Sequence, residues 1–208
     1  EEKIEKREDG MLMLPMIPLR GMTIFPNMVL HFDIGREKTI NALEKAMIEN
    51  QYIFLAAQKD ETTDLPTSKD FYHGGTIAKI KQMLKLPGDS IRVLVEGTTR
   101  GRITEMLFEV PYFKCAVQKI EDEEPDPVPP KTEALMRSAL ANFDEYLALD
   151  QKLSPEIFPT VATIDEPGRF ADIVSSHLDI KVEEKQELLE CMEVDERLEK
   201  LNKILTRE

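Results

Sequence analysis

Apolar residues along the first 120 positions fall in short runs that partly alternate with polar ones, and Pro, Gly and Asn separate the runs. Residues 11–19, 28–34, 52–57, 76–84, 90–97 and 112–120 are rich in β-branched and aromatic side chains, so each run predicts a strand. Between the second and third runs, residues 36–50 (REKTINALEKAMIEN) set Ile40, Leu43 and Met47 on one face and charges on the other. That spacing predicts one amphipathic helix over a sheet. Six closely spaced strands and a single helix point to a small, partly closed barrel. After residue 131 the period changes. TEALMRSALANFDEYLAL places Leu135, Met136, Leu140, Phe143 and Leu147 in a helical stripe with Thr132 as N-cap, and Asp165 ahead of Pro167 predicts the cap of the next helix. Two more amphipathic stretches, 182–192 and 194–205, complete a predicted bundle of about four or five helices, so the class is α+β. The last stripe is still running at Glu208 and reads as part of something longer, with Leu198, Leu201 and Leu205 expected to lack part of their partner.

Charge sharpens the division. Of the 208 residues, 27 are Lys or Arg and 40 are Asp or Glu, a net charge of −13. Residues 11–120 carry 14 basic and 12 acidic residues, whereas 132–208 carry 9 and 18. Between them EDEEPDPVPPK, residues 121–131, holds four prolines and five acids, a composition suited to an extended linker about which two units could reorient. The expected domains are therefore a charged extension at 1–10, a barrel at 11–120, the linker, and a bundle at 132–208. The negative charge disfavours nucleic acid as a partner. No apolar run approaches the ~18 residues of a membrane span. Two isolated cysteines and a charged beginning suit a cytoplasmic protein without disulfides.

Candidate chemistry is sparse. No Gly-rich turn ends in G-K-[ST], and no G-x-S-x-G elbow occurs, so neither a phosphate cradle nor a serine nucleophile is expected. His31, His73 and His177 stand apart, and Cys115 and Cys191 lack metal-ligand spacing, so no cofactor, metal or catalytic residue is predicted and the chain is not expected to be an enzyme. The first unit does concentrate methionine, with eight of the ten before residue 111, beside turns in PMIPLRGMTIFPNM and QMLKLPGD. Two readings stand side by side: Met fills gaps in an irregular core, or flexible, polarisable side chains form a promiscuous apolar surface.

Three long segments in order carry a resemblance: PLRGMTIFPNMVLHFDIGREKTINALEKA, GTIAKIKQMLKLPGDSIRVLVEGTTRGRI and DEPGRFADIVSSHLDIKVEEKQELLECMEVDERLEKL. Together they resemble the N-terminal substrate-recognition region of the ATP-dependent Lon protease family; the lead EEKIEKREDG has no counterpart in it. The resemblance implies a PUA-like barrel joined to a helical bundle. It also implies a non-catalytic role: capturing unfolded or damaged proteins, and helping to organise a hexamer whose ATPase and Ser-Lys peptidase modules have no matching residues here. On that reading the client-binding residues are Phe25, Pro26, Met28, Met83, Leu84, Leu86 and Pro87, expected to form one exposed patch if the barrel brings the two segments together. An RNA-binding module using Arg92, Arg100 and Arg102, or a stand-alone interaction adaptor, are the alternatives.

Overall fold

Strands β1 (Leu12–Leu19) and β3 (Tyr52–Ala57) are buried along nearly their whole length, which explains their continuous apolar sequence. Leu12, Leu14 and Met16 of β1, with Tyr52, Phe54 and Ala56 of β3, enter one apolar cluster. The alternate residues Ile17, Leu19, Ile53 and Leu55 enter a second, completed by helix α1 (Glu37–Glu49). The structure, a computed structural model describing residues 4–207, is mixed α+β with a six-stranded sheet and six helices among those residues. The chain divides into two compact units between Glu121 and Asp122.

The sheet order is β2 (Val29–Ile34), β5 (Ile91–Phe108), β4 (Gly74–Lys85), β3, β1, β6 (Phe113–Ile120). β6 also pairs with β5, so the hydrogen-bonded circuit β5–β4–β3–β1–β6 returns to its start. One strand manages this because β5 is 18 residues long, more than twice the length its sequence predicted. Residues 91–96 pair with β2, and residues 100–108 pair with β6. The polar stretch TTRGRITE hid the continuation, since the residues it buries, Thr99, Arg100, Gly101 and Ile103, are mostly not apolar. Gly97 and Gly101 mark the crowded points: a Cβ on the first would run into the carbonyl oxygen of Phe25, and on the second into the Val117 and Phe54 side chains.

Helix α1 differs from expectation in its inward face. Thr39, Ala42, Leu43 and Ala46 are buried, whereas Ile40 and Met47 pack only partly against the cluster. Small alanines let the helix approach the sheet, and the larger side chains close its flanks. Of the expected charged extension, residues 1–3 lie outside the described residues, and the remainder packs on the strand unit. Ile4 is buried beside Leu12 and Leu14, the Met13 amide donates to the Glu5 carbonyl (2.9 Å), and Arg7 pairs with Asp9 and Glu105.

The second unit contains α2 (Pro130–Leu149), α3 (Ile157–Ala162), α4 (Pro167–Ser176), α5 (Val182–Glu190) and α6 (Val194–Arg207). Both expected caps are corrected. Helix α2 begins at Pro130 itself, a residue suited to the first turn, and the Thr132 hydroxyl donates to Asp195 instead (2.6 Å). Glu166, not Asp165, precedes α4. Leu198, Leu201 and Leu205 are buried, so the expected partner-poor side of α6 is filled by α2, α4 and α5. Asn142 and Asn202 stitch α2 to α6, with the Asn142 amide donating to Asn202 (2.8 Å) and Asn202 to the Leu135 carbonyl (3.2 Å).

At the centre of this unit the Arg197 side chain is fully buried. Its guanidinium donates in bidentate fashion to Asp122 (2.8 and 2.9 Å), approaches the buried Asp172 at 3.5 Å, and donates twice to the Cys191 carbonyl (2.9 and 3.0 Å). Burial alone would lower the Arg197 pKa; the hydrogen bonds it donates to Asp122 and the nearby Asp172 charge reverse this and raise it. Asp122 and Glu124 belong to the expected linker, yet both are bonded into the bundle. The Glu124 carboxylate accepts from the amides of Gly168 and Arg169 (both 3.2 Å), at the open start of α4.

Candidate functional site

The two apolar segments singled out in the sequence have different fates. Residues 25–28 form a tight turn in which the Met28 amide donates to the Phe25 carbonyl (3.2 Å), with Pro26 second and Asn27, at φ 68°, third. Pro presets the second position and Asn tolerates the third, as a type II turn requires. The Asn27 amide then donates to the Gly97 carbonyl (2.8 Å), and the Gly97 amide to the Met28 carbonyl (2.8 Å), pinning the turn to β5. Phe25 is 0% exposed and Pro26 is buried, so both are corrected from client-facing to structural positions. The carbonyl of Phe25 approaches position 97 so closely that only glycine fits there. Met28 is half-buried.

Residues 83–87 instead lead into the β4–β5 hairpin. Here the Leu86 amide donates to the Ser90 carbonyl (2.9 Å), and positive φ at Gly88 (83°) and Asp89 (62°) reverses the chain. Met83 is 38% and Leu84 58% exposed, Pro87 is exposed, and Leu86 is half-buried. Met83 and Leu84, as neighbours on a strand, point to opposite faces. Leu84 lies opposite Arg92, whose guanidinium holds Asp33 on β2 (2.8 and 3.1 Å).

The register separates these segments. β2 leaves the 25–28 turn opposite Glu96 and ends opposite Ile91, while Lys85 pairs with Ile91 and the hairpin turn lies beyond. Six residues of strand at ~3.3 Å each put the turn and the hairpin end ~20 Å apart along β5. They do not form the single patch expected, because β5 lies lengthwise between them.

Sequence reasoning also missed exposed apolar side chains. Val29 is exposed on β2, and Leu65, in a polar loop with Pro66, borders a cleft of about 390 Å³ that also involves Pro18 and Phe113. The dipeptide Leu65-Pro66 within TTDLPTS was the available signal. Of the arginines in the RNA-binding alternative, Arg92 is paired with Asp33, Arg100 is buried, and Arg102 lies ten residues from Arg92, ~30 Å of strand. Cys115 is buried and desolvation pushes its thiol pKa well up, so it is a core residue. Among the described residues no cluster of His, Cys, Asp or Glu could hold a metal ion, and no helix is long and apolar enough to cross a membrane.

A mixed sheet with one covering helix and an exposed apolar hairpin, followed in the chain by a helical unit, is an arrangement suited to binding. Residues 13–207 match the family described as the ATP-dependent protease La (LON) substrate-binding domain, and the chain belongs to that family. It is 48% identical over 195 residues to a Lon protease of Desulforamulus reducens, covering 94% of this chain and 24% of that protein. It is 47% identical to a Lon protease of Heliobacterium modesticaldum over 208 residues, all of this chain and 25% of that one. The chain thus spans about a quarter of the length of these relatives, and the second match includes the lead that the resemblance had left without a counterpart. The solved N-terminal domain of Mycobacterium avium complex Lon protease is similar in fold, with a TM-score of 0.77 at 20% identity, covering 93% of this chain and 98% of that one. A Lon N-terminal domain protein from Xanthomonas campestris gives 0.63 at 13% identity over 91% and 96%.

Proposed function

We propose that this chain is the client-capturing module of a longer, cytoplasmic ATP-dependent protease. It performs no chemistry itself. It holds unfolded or damaged polypeptide through the β4–β5 hairpin for delivery to ATPase and Ser-Lys peptidase modules carried elsewhere in the protein, and associates with other subunits in a hexamer. We read the strand circuit as a partly closed PUA-like barrel whose role is to hold that hairpin out. The supporting observation is the hairpin itself: a ladder-held arm exposes Met83, Leu84 and Pro87 with half-buried Leu86 at the turn. Unfolded proteins share exposed apolar side chains and little else, so a small adaptable apolar surface recognises many of them weakly. Six copies would add avidity.

Of the seven residues first assigned, the proposal keeps Met83, Leu84, Leu86 and Pro87, with Met28 as a separate, half-buried contact. Replacing Leu84 and Leu86 together with Glu removes apolar contact worth ~1.4 kcal/mol or more, so binding to a reduced, carboxymethylated protein should weaken ~10-fold. Stability should move by less than ~1 kcal/mol, since the side chains add little to the core. Anisotropy titration with parallel thermal melts checks both. Unchanged binding by the folded double variant would refute the hairpin as the capture site.

A further inference from the structure

The helical unit carries an apolar groove that the hairpin reading leaves unused. Its volume is about 520 Å³, and its apolar lining comes from Met136 and Leu140 of α2 together with Val128, Ile164 and Phe170. Phe170 is buried, but Met136, Leu140, Ile164 and Val128 remain half-exposed. The sequence had placed Met136 and Leu140 in the core stripe of α2. The core is filled instead by Ala139, Phe143, Tyr146 and Leu147, and the two residues are displaced onto the groove wall.

The rim is acidic. Asp126, Glu133 and Asp165 are all exposed at its border, and the one basic residue there, Arg137, is already paired with Glu133 (3.0 Å). The surrounding charge has the same sign, for residues 122–208 carry 10 basic and 22 acidic residues. An apolar floor under an acidic rim on an acidic unit selects one kind of occupant by complementarity. We propose that this groove binds cationic-apolar segments of unfolded polypeptide, in which Leu, Phe or Met is flanked by Lys or Arg: the apolar side chains fill the groove and the cations meet Asp126 and Asp165. It is a second client site of different selectivity from the hairpin, and its chemistry does not depend on the hairpin reading.

The test uses the whole 208-residue chain and a fluorescein-labelled dodecapeptide of two phenylalanines, two leucines and four lysines spaced by glycine and serine. Reversing both exposed rim charges, with Asp126→Lys and Asp165→Lys, should weaken peptide binding ~10-fold, as should replacing the peptide's lysines with glutamates. Met136→Lys should do the same by charging the floor; should that variant unfold, the rim reversal decides alone, since both of its side chains are exposed. Affinity should fall, without vanishing, between about 0.05 and about 0.5 M salt, because the rim term is screened and the apolar term is not. The Leu84→Glu, Leu86→Glu variant should bind the peptide as the unaltered chain does, even if it fails to bind carboxymethylated protein, so the two sites succeed or fail separately. Unchanged affinity after rim reversal, equal binding of the glutamate peptide, or loss only in the hairpin variant would overturn the groove. So would a chain dimer that dissociates on Met136→Lys, which would assign the groove to a second copy.

Discussion

In the strand unit the bulkiest fully buried side chains are Phe25, Phe54 and Phe71, and in the helical unit the bulkiest is Arg197, followed by Phe143. The strand unit closes through its main chain: a circuit of ladders fixes which residues face inward, and apolar side chains fill the interior. Five helices have no shared ladder, so a directional side-chain network does the equivalent work. Arg197 reaches from α6 to Asp122 ahead of α2, to Asp172 on α4 and to the Cys191 carbonyl after α5. Such a centre gains geometric definition and gives little net stability, because desolvating three charged groups offsets much of their attraction. The difference teaches that the helical unit depends on completeness, whereas the strand unit depends on volume.

Arg197→Ala would press hardest on that contrast. It leaves Asp172 buried without its cation, and the expected loss is about 3–5 kcal/mol, enough to melt a small helical unit while the strands persist. Urea titration followed separately by helical and strand signals should show the helical transition moving alone. Coincident movement of both would mean the two units unfold as one.

Phe25→Ala tests the other side by removing volume. A buried Phe truncated to Ala costs about 3–4 kcal/mol, and the strand transition should move while the helical one stays. The same measurement separates Phe25 from Leu84, whose loss should scarcely register.

The smallest effect concerns acid. Burial and the nearby Lys185 lower the pKa of His177, which stacks on Phe143. The folded unit therefore binds this proton less readily than the unfolded chain, so the stabilisation is intact above about pH 6.5, the ordinary histidine value, and declines as the pH falls below it. His177→Gln should flatten the dependence of the helical transition between about pH 7 and 5 relative to the unaltered chain.

The sequence disclosed strand positions well where a short apolar run was bounded by polar residues, and Tyr52–Ala57 matches its prediction to the residue. It failed where polar residues carried on a strand, as in residues 98–108, since the consecutively buried Thr99, Arg100 and Gly101 break the apolar alternation that marks a strand. Arg197 gave no warning: a lone arginine in VDERLEKL counts as surface charge until Asp122, 75 positions earlier, is brought beside it. The hairpin turn was legible from Pro87-Gly88-Asp89. The distance between that turn and residues 25–28 was not, because register is a property of paired strands and no single run contains it.

The returning circuit of strands has a further consequence under the proposed role of meeting unfolded chains. An unfolded segment seeks unpaired backbone, and any open sheet edge invites it to add as another strand and nucleate aggregation. β1, β3 and β6 each have a neighbour on both sides, leaving chiefly the short outer side of β2 and the far end of β4 open among the described residues. β2 places His31 and the ion-paired Asp33 outward, and the end of β4 carries Lys81 and Lys85. Charge at the few open edges favours contact through side chains over templating, which under the proposed role would let a bound chain leave again.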